Sequence, residues 1–424
     1  MLGGVTAGLW ANRYGRRGAL LRNNSTAVVA AALLGFAKMS KSYEMLIVGR
    51  FVSGINAGVN SGVGPLYLAE ISPVSLRGLV GTLNQLAITL GVLVAEAIGL
   101  SIALGTDELW PLCVGFTIIP VLFQLSTLTC CPETPHHLML TLNDDDEAEK
   151  ALVWLRGTED IGEELEEIRV DKVEHRNAVK FSVADLFKNA ELRWPLIISL
   201  MLQLSQQFSG INAVIYYSTS IFEEANLSEA ASQYATVGVG LVNVIMTFFS
   251  ALLMDKLGRR VLMITGLAGL FAFSSVLVTA LVFQGSASWL SYVCIVAVVF
   301  YIIFFATGPG AIPWFYVAEL FAQGPRTAAV SISVLVNWFA NFIVGVIFPE
   351  LESSLGVYSF LPFVVMLLGF LIFTVAFVPE TKGKRIEDIT LLFKTSASNE
   401  SSKVDLTYRQ ISEDVSSSVQ SSGR

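Results

Sequence analysis

Charged residues are scarce in this 424-residue chain. Lys, Arg, Asp and Glu make up 15% of it, against about a quarter in soluble globular chains. With 53% hydrophobic residues, that scarcity excludes an ordinary soluble domain. Cysteine is scarce too: Cys113, Cys130, Cys131 and Cys294 lie in or beside apolar runs. They show neither metal-ligand spacing nor a disulfide framework, so they read as free packing residues. The three histidines are His136, His137 and His175. No nucleophile–base pair and no metal constellation appears, so no catalytic residue, metal site or cofactor is expected. The net charge of −8 comes mainly from the central loop and the tail, and it implies no nucleic-acid partner. No charged n-region, short apolar core and cleavage site open the chain, so no removable signal peptide is expected.

What the chain has in abundance is apolar runs. They fall near 1–11, 24–38, 44–68, 79–102, 110–131, 194–219, 232–254, 261–283, 289–318, 328–349 and 358–378. Eleven runs of about membrane-spanning length approach the twelve that would complete two bundles of six. Between them, Thr141 to Asn189 is charged. There Asp144, Asp145, Asp146 and Glu147 precede Ala151, Leu152 and Leu155 at helical spacing. Acidic residues complement a helix N-terminus, so short amphipathic helices are expected. Beyond Leu392 the chain is Ser-rich and polar, as in disordered tails.

Arginine and lysine cluster on one set of loops, including Arg13, Arg16, Arg17, Arg77, Lys256, Arg259, Arg260, Arg326 and Lys382. The positive-inside rule makes those loops, the central stretch and the tail cytoplasmic. Lys38 and Lys41 are the exceptions. On the other side, Asn226-Leu227-Ser228 is a glycosylation match in a short loop.

Three motifs occur twice in the same order. The first set is Asn12-Arg13-Tyr14-Gly15-Arg16-Arg17, then Glu70 with Arg77, then Pro132-Glu133-Thr134. The second is Asp255-Lys256-Leu257-Gly258-Arg259-Arg260, then Glu319 with Arg326, then Pro379-Glu380-Thr381. The separations are 243 (Gly15 to Gly258), 249 (Glu70 to Glu319) and 247 (Pro132 to Pro379). This is a parallel repeat of two membrane bundles. Two apolar segments precede the second Gly-Arg-Arg and only about half a span precedes the first. By that symmetry the chain is expected to lack one complete helix and part of the next. Opposite charges at the helix ends suggest a cytoplasmic gate: Arg77 or Arg16 with Glu133, and Arg326 or Arg260 with Glu380, tying one bundle to the other.

The densest polar signal is Gln203 to Thr219. On one continuous helix Gln203, Gln206, Gln207 and Gly210 share a face. Mid-membrane amides are costly unless bonded. They offer donors and acceptors together, which matches a ring of sugar hydroxyls. Asn243, Asn337, Asn341 and Gln85 are further mid-segment amides. Gly308-Pro309-Gly310-Ala311-Ile312-Pro313-Trp314 interrupts another segment and predicts a broken helix. There Trp314 can face a sugar's C–H surface. Glu96 is a carboxylate within a predicted span, and its place near the end of that span suggests a solvated group.

These residues resemble the sugar-porter branch of the major facilitator superfamily, most closely the class I facilitative glucose transporters of animals. The resemblance runs from Gly3 to about Phe393. It rests on Gln203–Thr219, the 308–314 stretch and Pro379-Glu380-Thr381-Lys382-Gly383. It implies an all-α polytopic membrane protein with the major facilitator fold, its first helix and part of the second missing. Sugar ligands would be Gln85, Gln206, Gln207, Asn212, Asn243, Trp314, Asn337 and Asn341, and outer-gate tyrosines Tyr216 and Tyr217. The inner network would be Arg16, Arg17, Glu70, Arg77, Glu133, Arg259, Arg260, Glu319, Arg326 and Glu380. Gln203-Leu204-Ser205 resembles the marker of glucose-preferring members. The chain departs from the pattern at Ala306, where a sugar-contacting Glu is usual, at Ala311 for a proline, and at His136-His137, which removes an arginine.

The organisation expected is a truncated bundle over 1–140, a cytoplasmic helical loop over 141–192, a second bundle over 193–392 and a tail over 393–424. The activity implied is facilitated diffusion of D-glucose and similar hexoses in the plasma membrane. The alternatives are a proton-coupled hexose symporter and a transport-dead sugar-binding isoform.

Overall fold

The computed structural model describes residues 1–73, 77–177, 183–224, 227–283, 286–287, 289–321 and 323–384. Asn226 and the expected tail lie outside them, and so does the Arg77 side chain. Helices make up the first half as α1 (Leu2–Tyr14), α2 (Arg16–Phe36), α3 (Tyr43–Ile71), α4 (Arg77–Ile98), α5 (Trp110–Gly115) and α6 (Ile118–Leu128). A short α7 (Pro135–His137) runs into a π-helical turn. Then come α8 (Asp145–Arg156), α9 (Gly162–Asn177) and α10 (Val183–Lys188). The second half holds α11 (Ala190–Gln207), α12 (Ile211–Glu224), α13 (Glu229–Leu257), α14 (Arg259–Val282), α15 (Leu290–Thr307), α16 (Ile312–Leu320), α17 (Gln323–Leu355) and α18 (Leu361–Phe377).

Local chemistry sets several of these boundaries. The Asp144 side chain accepts from the Glu147 N–H and starts α8, and Gly157 at φ +66° ends it. Ser42 caps α3 in the same way through the Met45 N–H. These are the ordinary N-cap and left-handed C-cap devices.

Packing differs between the halves. The second half buries large side chains, among them Phe222, Tyr301, Tyr316, Phe321 and Phe348. The first half packs more through small ones: Ala7, Ala11, Ala19, Val59 and Val63 stand beside Leu20, Tyr67 and Leu128. A Cβ on Gly58 would lie 2.7 Å from the Gly4 backbone nitrogen, and one on Gly3 2.2 Å from the Ile55 carbonyl oxygen. Helices α1 and α3 therefore approach closely only because glycine stands at both places, as in small-residue membrane interfaces. The halves meet along two seams, α4 against α13 and α1 against α17.

Among the described residues six helical stretches are long and apolar enough to cross a membrane: Arg16–Phe36, Trp110–Leu128, Glu229–Met254, Arg259–Val282, Leu290–Leu320 and Ala328–Tyr358. Leu83–Ile98 and Leu361–Phe377 are shorter apolar helices. The eleven apolar runs thus do not all become full-length apolar helices. The run at 194–219 is divided into α11 and α12, and the run at 44–68 becomes α3, which carries Arg50, Asn56 and Asn60. Large apolar side chains such as Phe123, Val365 and Ile372 face outward, as a lipid-facing surface requires.

Candidate functional site

The amide cluster forms where two helices break. Helix α11 stops at Gln207, and Gly210, at φ +90°, turns the chain into α12. A side chain there would collide with the Phe363 ring, whose Cγ lies 2.9 Å from the Cβ position. The break removes Gly210 and Ile211 from the face carrying Gln203, Gln206 and Gln207, so the single continuous helical face expected from the sequence does not exist. The second break lies between α15 and α16, at Gly308–Ala311.

Gln203, Gln206, Gln207 and Asn337 are all buried, and they satisfy one another. Asn337 Nδ2 donates to Gln203 Oε1 at 2.7 Å and to Gln206 Oε1 at 2.8 Å. Gln207 Nε2 donates to Gln206 Oε1 at 3.1 Å and to Asn337 Oδ1 at 3.0 Å. Asn341 Nδ2 reaches Gln207 Oε1 at 3.2 Å, and Asn212 Nδ2 donates to the same oxygen. Carbonyls at the second break and in the first turn of α16 are used as well. Gln206 Nε2 donates to those of Pro309 and Gly310, each at 2.8 Å, and Gln203 Nε2 to that of Pro313 at 3.1 Å. The cluster is uncharged and rich in both donors and acceptors. A polyol can enter it by exchanging amide–amide bonds for amide–hydroxyl bonds.

The structure thus joins Gln206, Gln207, Asn212, Asn337 and Asn341, with Gln203 as a sixth member. None of the cluster's hydrogen bonds reaches Gln85, Asn243 or Trp314. Gln85 is half-buried on α4, and Trp314 is half-buried in the first turn of α16. Asn243 is buried on α13 with its Oδ1 unpartnered. Tyr217 packs on Phe348 with ring centroids 5.0 Å apart, whereas Tyr216 is exposed. Ala306 is buried. Glu96, expected to be solvated, instead buries its Oε2 without a partner, 2.0 Å from where a Cβ on Gly240 would stand. The α4–α13 seam closes over it, which the sequence position alone does not reveal.

The repeated charged motifs build two matching clamps. In the first, Glu133 accepts from the backbone N–H groups of Arg16 (2.8 Å), Arg17 (3.0 Å) and Gly18 (3.2 Å). No side chain of the helix itself caps α2; the carboxylate does so from a distant segment, at the positive end of the helix dipole. Arg16 gives its guanidinium to Glu70 at 3.0 and 2.8 Å, and Thr134 Oγ1 donates to Glu70 at 2.6 Å. Arg17 donates to the carbonyls of Leu128 (3.0 Å) and Thr129 (2.6 Å) at the end of α6. The second clamp repeats this. Glu380 accepts from the N–H groups of Arg259 and Arg260, each at 3.0 Å. Arg259 pairs with Glu319 at 3.1 and 3.0 Å, Thr381 donates to Glu319 at 2.5 Å, and Arg260 donates to the Val375 carbonyl at 2.7 Å.

Each clamp joins helix ends of one half. The expected pairings of Arg16 with Glu133 and of Arg260 with Glu380 are therefore corrected: both carboxylates take main-chain N–H groups of their own half, while the alternative through the Arg77 side chain lies outside the described residues. Arg326 Nε donates to the Phe321 carbonyl at 3.1 Å. Charge patterning shows that acids and bases gather at these ends but not which helices meet there. Tyr67 and Tyr316 were missed. Their hydroxyls donate to the carbonyls of Pro132 (3.1 Å) and Pro379 (2.5 Å). Their separation of 249 (Tyr67 to Tyr316) equals that of Glu70 and Glu319, a signal that could have found them.

The clamps also differ at a histidine. His137 Nδ1 lies 2.8 Å from Arg16 Nη1. Facing a guanidinium, that nitrogen must accept, so the ring is neutral with its proton on Nε2. Burial and the Arg16 charge hold its pKa below the ordinary imidazole value, outweighing Glu133 and Glu70. In the second clamp, Arg259 Nη1 turns to the Met254 carbonyl at 3.5 Å. Burial pulls the Glu380 carboxyl upward, but the N–H groups of Lys382, Arg259, Arg260 and Thr381 together outweigh it and hold its pKa below the ordinary range.

Residues 1–393 match the family described as Sugar (and other) transporter. Facilitated glucose transporter member 3 of solute carrier family 2 is 46% identical in Ovis aries over 395 residues, 93% of this chain and 79% of the relative. The Homo sapiens member 3 is 45% identical, covering 94% and 80%. Member 1 from Gallus gallus is 42% identical over 98% of this chain and 84% of its own length. Among solved structures, the proton:xylose symporter XylE bound to 6-bromo-6-deoxy-D-glucose superposes with a TM-score of 0.78 at 27% identity. That alignment covers 92% of this chain and 86% of the symporter. The inward-open XylE from E. coli gives 0.74 at 28% identity, with 92% and 86% covered.

Proposed function

We propose that this chain, which belongs to the sugar transporter family, carries D-glucose and similar hexoses across the plasma membrane by facilitated diffusion. The observation that carries the reading is the uncharged amide cluster of Gln203, Gln206, Gln207, Asn212, Asn337 and Asn341, set between two helix breaks. A hexose offers hydroxyls that both donate and accept, and such a cluster answers each of them. Trp314, Gln85 and Asn243 complete the site when the halves rearrange around the sugar.

Residues 1–140 and 193–392 act as two bundles that rock about a site near the membrane midplane. The 141–192 segment and the clamp ends face the cytoplasm, and Tyr216 and Tyr217 serve the outer gate. The clamps keep each bundle rigid while the seams between bundles change. Nothing is chemically transformed; sugar binding shifts the populations of the two gate states. The test is uptake of labelled 2-deoxyglucose into cells lacking hexose transport. Saturable, ionophore-insensitive uptake is expected, and the absence of uptake overturns the reading.

A second reading is proton-coupled symport, favoured by the likeness to a proton:xylose symporter. It predicts uptake that collapses with a proton ionophore.

A further inference from the structure

The two helix breaks of the second half exchange hydrogen bonds in both directions. From α11, Gln206 donates to the carbonyls of Pro309 and Gly310 at the α15–α16 break, and Gln203 to that of Pro313 in the first turn of α16. In return, the Tyr301 hydroxyl on α15 donates to the Ser209 carbonyl at the α11–α12 break. Tyr301 is 1% exposed. A phenol so deeply buried requires a partner, and the carbonyl released where α11 stops requires a donor. The next residue, Gly210, is in the left-handed region and packs under the Phe363 ring. The break is thus held by a ring at Gly210 and a phenol at Ser209. Asn212 follows two residues later and gives its amide to Gln207.

We propose that Tyr301 is a positioning residue of the amide site: by holding the Ser209 carbonyl it sets the direction in which α12 leaves the break, and so places Asn212 against Gln207. This rests on the reading of the cluster as a sugar site. Tyr301 touches no sugar itself. Its hydroxyl acts through one main-chain oxygen, so Tyr301→Phe keeps the ring's packing and removes only the tether.

Three measurements on the full chain, wild type and Tyr301→Phe, test this. Amide hydrogen exchange in detergent should quicken in the variant over residues 209–216 and stay unchanged in α14. D-glucose binding should weaken by roughly three- to tenfold, the worth of one hydrogen bond. Uptake of 2-deoxyglucose should show a raised KM with kcat within about twofold, as expected when binding geometry alone is altered. Unchanged exchange at the break overturns the tether, and faster exchange with unchanged glucose affinity overturns the positioning role. Wild-type protein that binds glucose without uptake refutes the transport reading while the affinity comparison still decides for or against Tyr301. Wild-type protein that binds no glucose overturns both.

Discussion

Glu133 holds Arg16 by its main-chain N–H, at 2.8 Å, and leaves that residue's guanidinium to Glu70. The carboxylate is therefore a helix cap supplied from 117 residues away. Glu133→Ala strips the cap from three N–H groups at once, and each orphaned group costs about 1–3 kcal/mol. Arg16→Ala leaves the cap in place and removes the Glu70 ion pair and the His137 contact. Thermal unfolding of the detergent-solubilised protein should show Glu133→Ala as the more damaging change. The opposite order would refute the capping account.

Gly15 carries two constraints. Its φ is +80°, and a Cβ would stand 2.3 Å from Glu133 Oε2. Gly157 has φ +66° with open space around it. Gly15→Ala should thus cost backbone strain plus loss of the cap, while Gly157→Ala costs strain alone, about 1 kcal/mol. Comparing melting temperatures of the two variants checks this, and equal losses would mean that the carboxylate's approach is unimportant.

The His137 contact makes the first clamp acid-sensitive. Its folded pKa is depressed, so the unfolded chain binds the proton more readily. Stability from this group is present above the unfolded value of about 6.5 and is lost as pH falls toward the folded one. Between pH 7.5 and 5.5 the melting temperature should drop, and His137→Phe should flatten part of that drop. An identical pH profile in the variant would exclude His137 as the source.

At the amide site, Gln206→Ala and Trp314→Ala should each abolish 2-deoxyglucose uptake with surface expression intact. Retained uptake in both would remove the site from consideration. Ala306→Glu should change the apparent affinity, because a carboxylate would enter the wall beside the second break. An unaltered KM would place residue 306 away from the sugar.

Much of this was legible in advance. The repeat located both clamps because three unlike motifs recur at nearly one separation, and the Gly-Pro-Gly stretch announced the α15–α16 break. The α11–α12 break was hidden, since its Phe208-Ser209-Gly210 sequence holds no proline. Gly210 terminates the helix through its left-handed φ and the Phe363 ring, a residue 153 positions away (Gly210 to Phe363). The clamp partners were hidden for a related reason. A carboxylate's preference for a backbone N–H over a nearby guanidinium depends on where the helix ends, and composition does not record that. The burial of Glu96 follows from the α4–α13 seam, a contact between distant parts of the chain.

The contacts of the first clamp among the described residues bear on biosynthesis. Every group of the first clamp lies between Arg16 and His137. That clamp can close on the nascent chain before the second half leaves the ribosome. Its helix ends can then be tied together before the second half is made. Its seams along α1 and α4 need α17 and α13, which are synthesised later, so the chain order allows the first clamp to form before the halves meet.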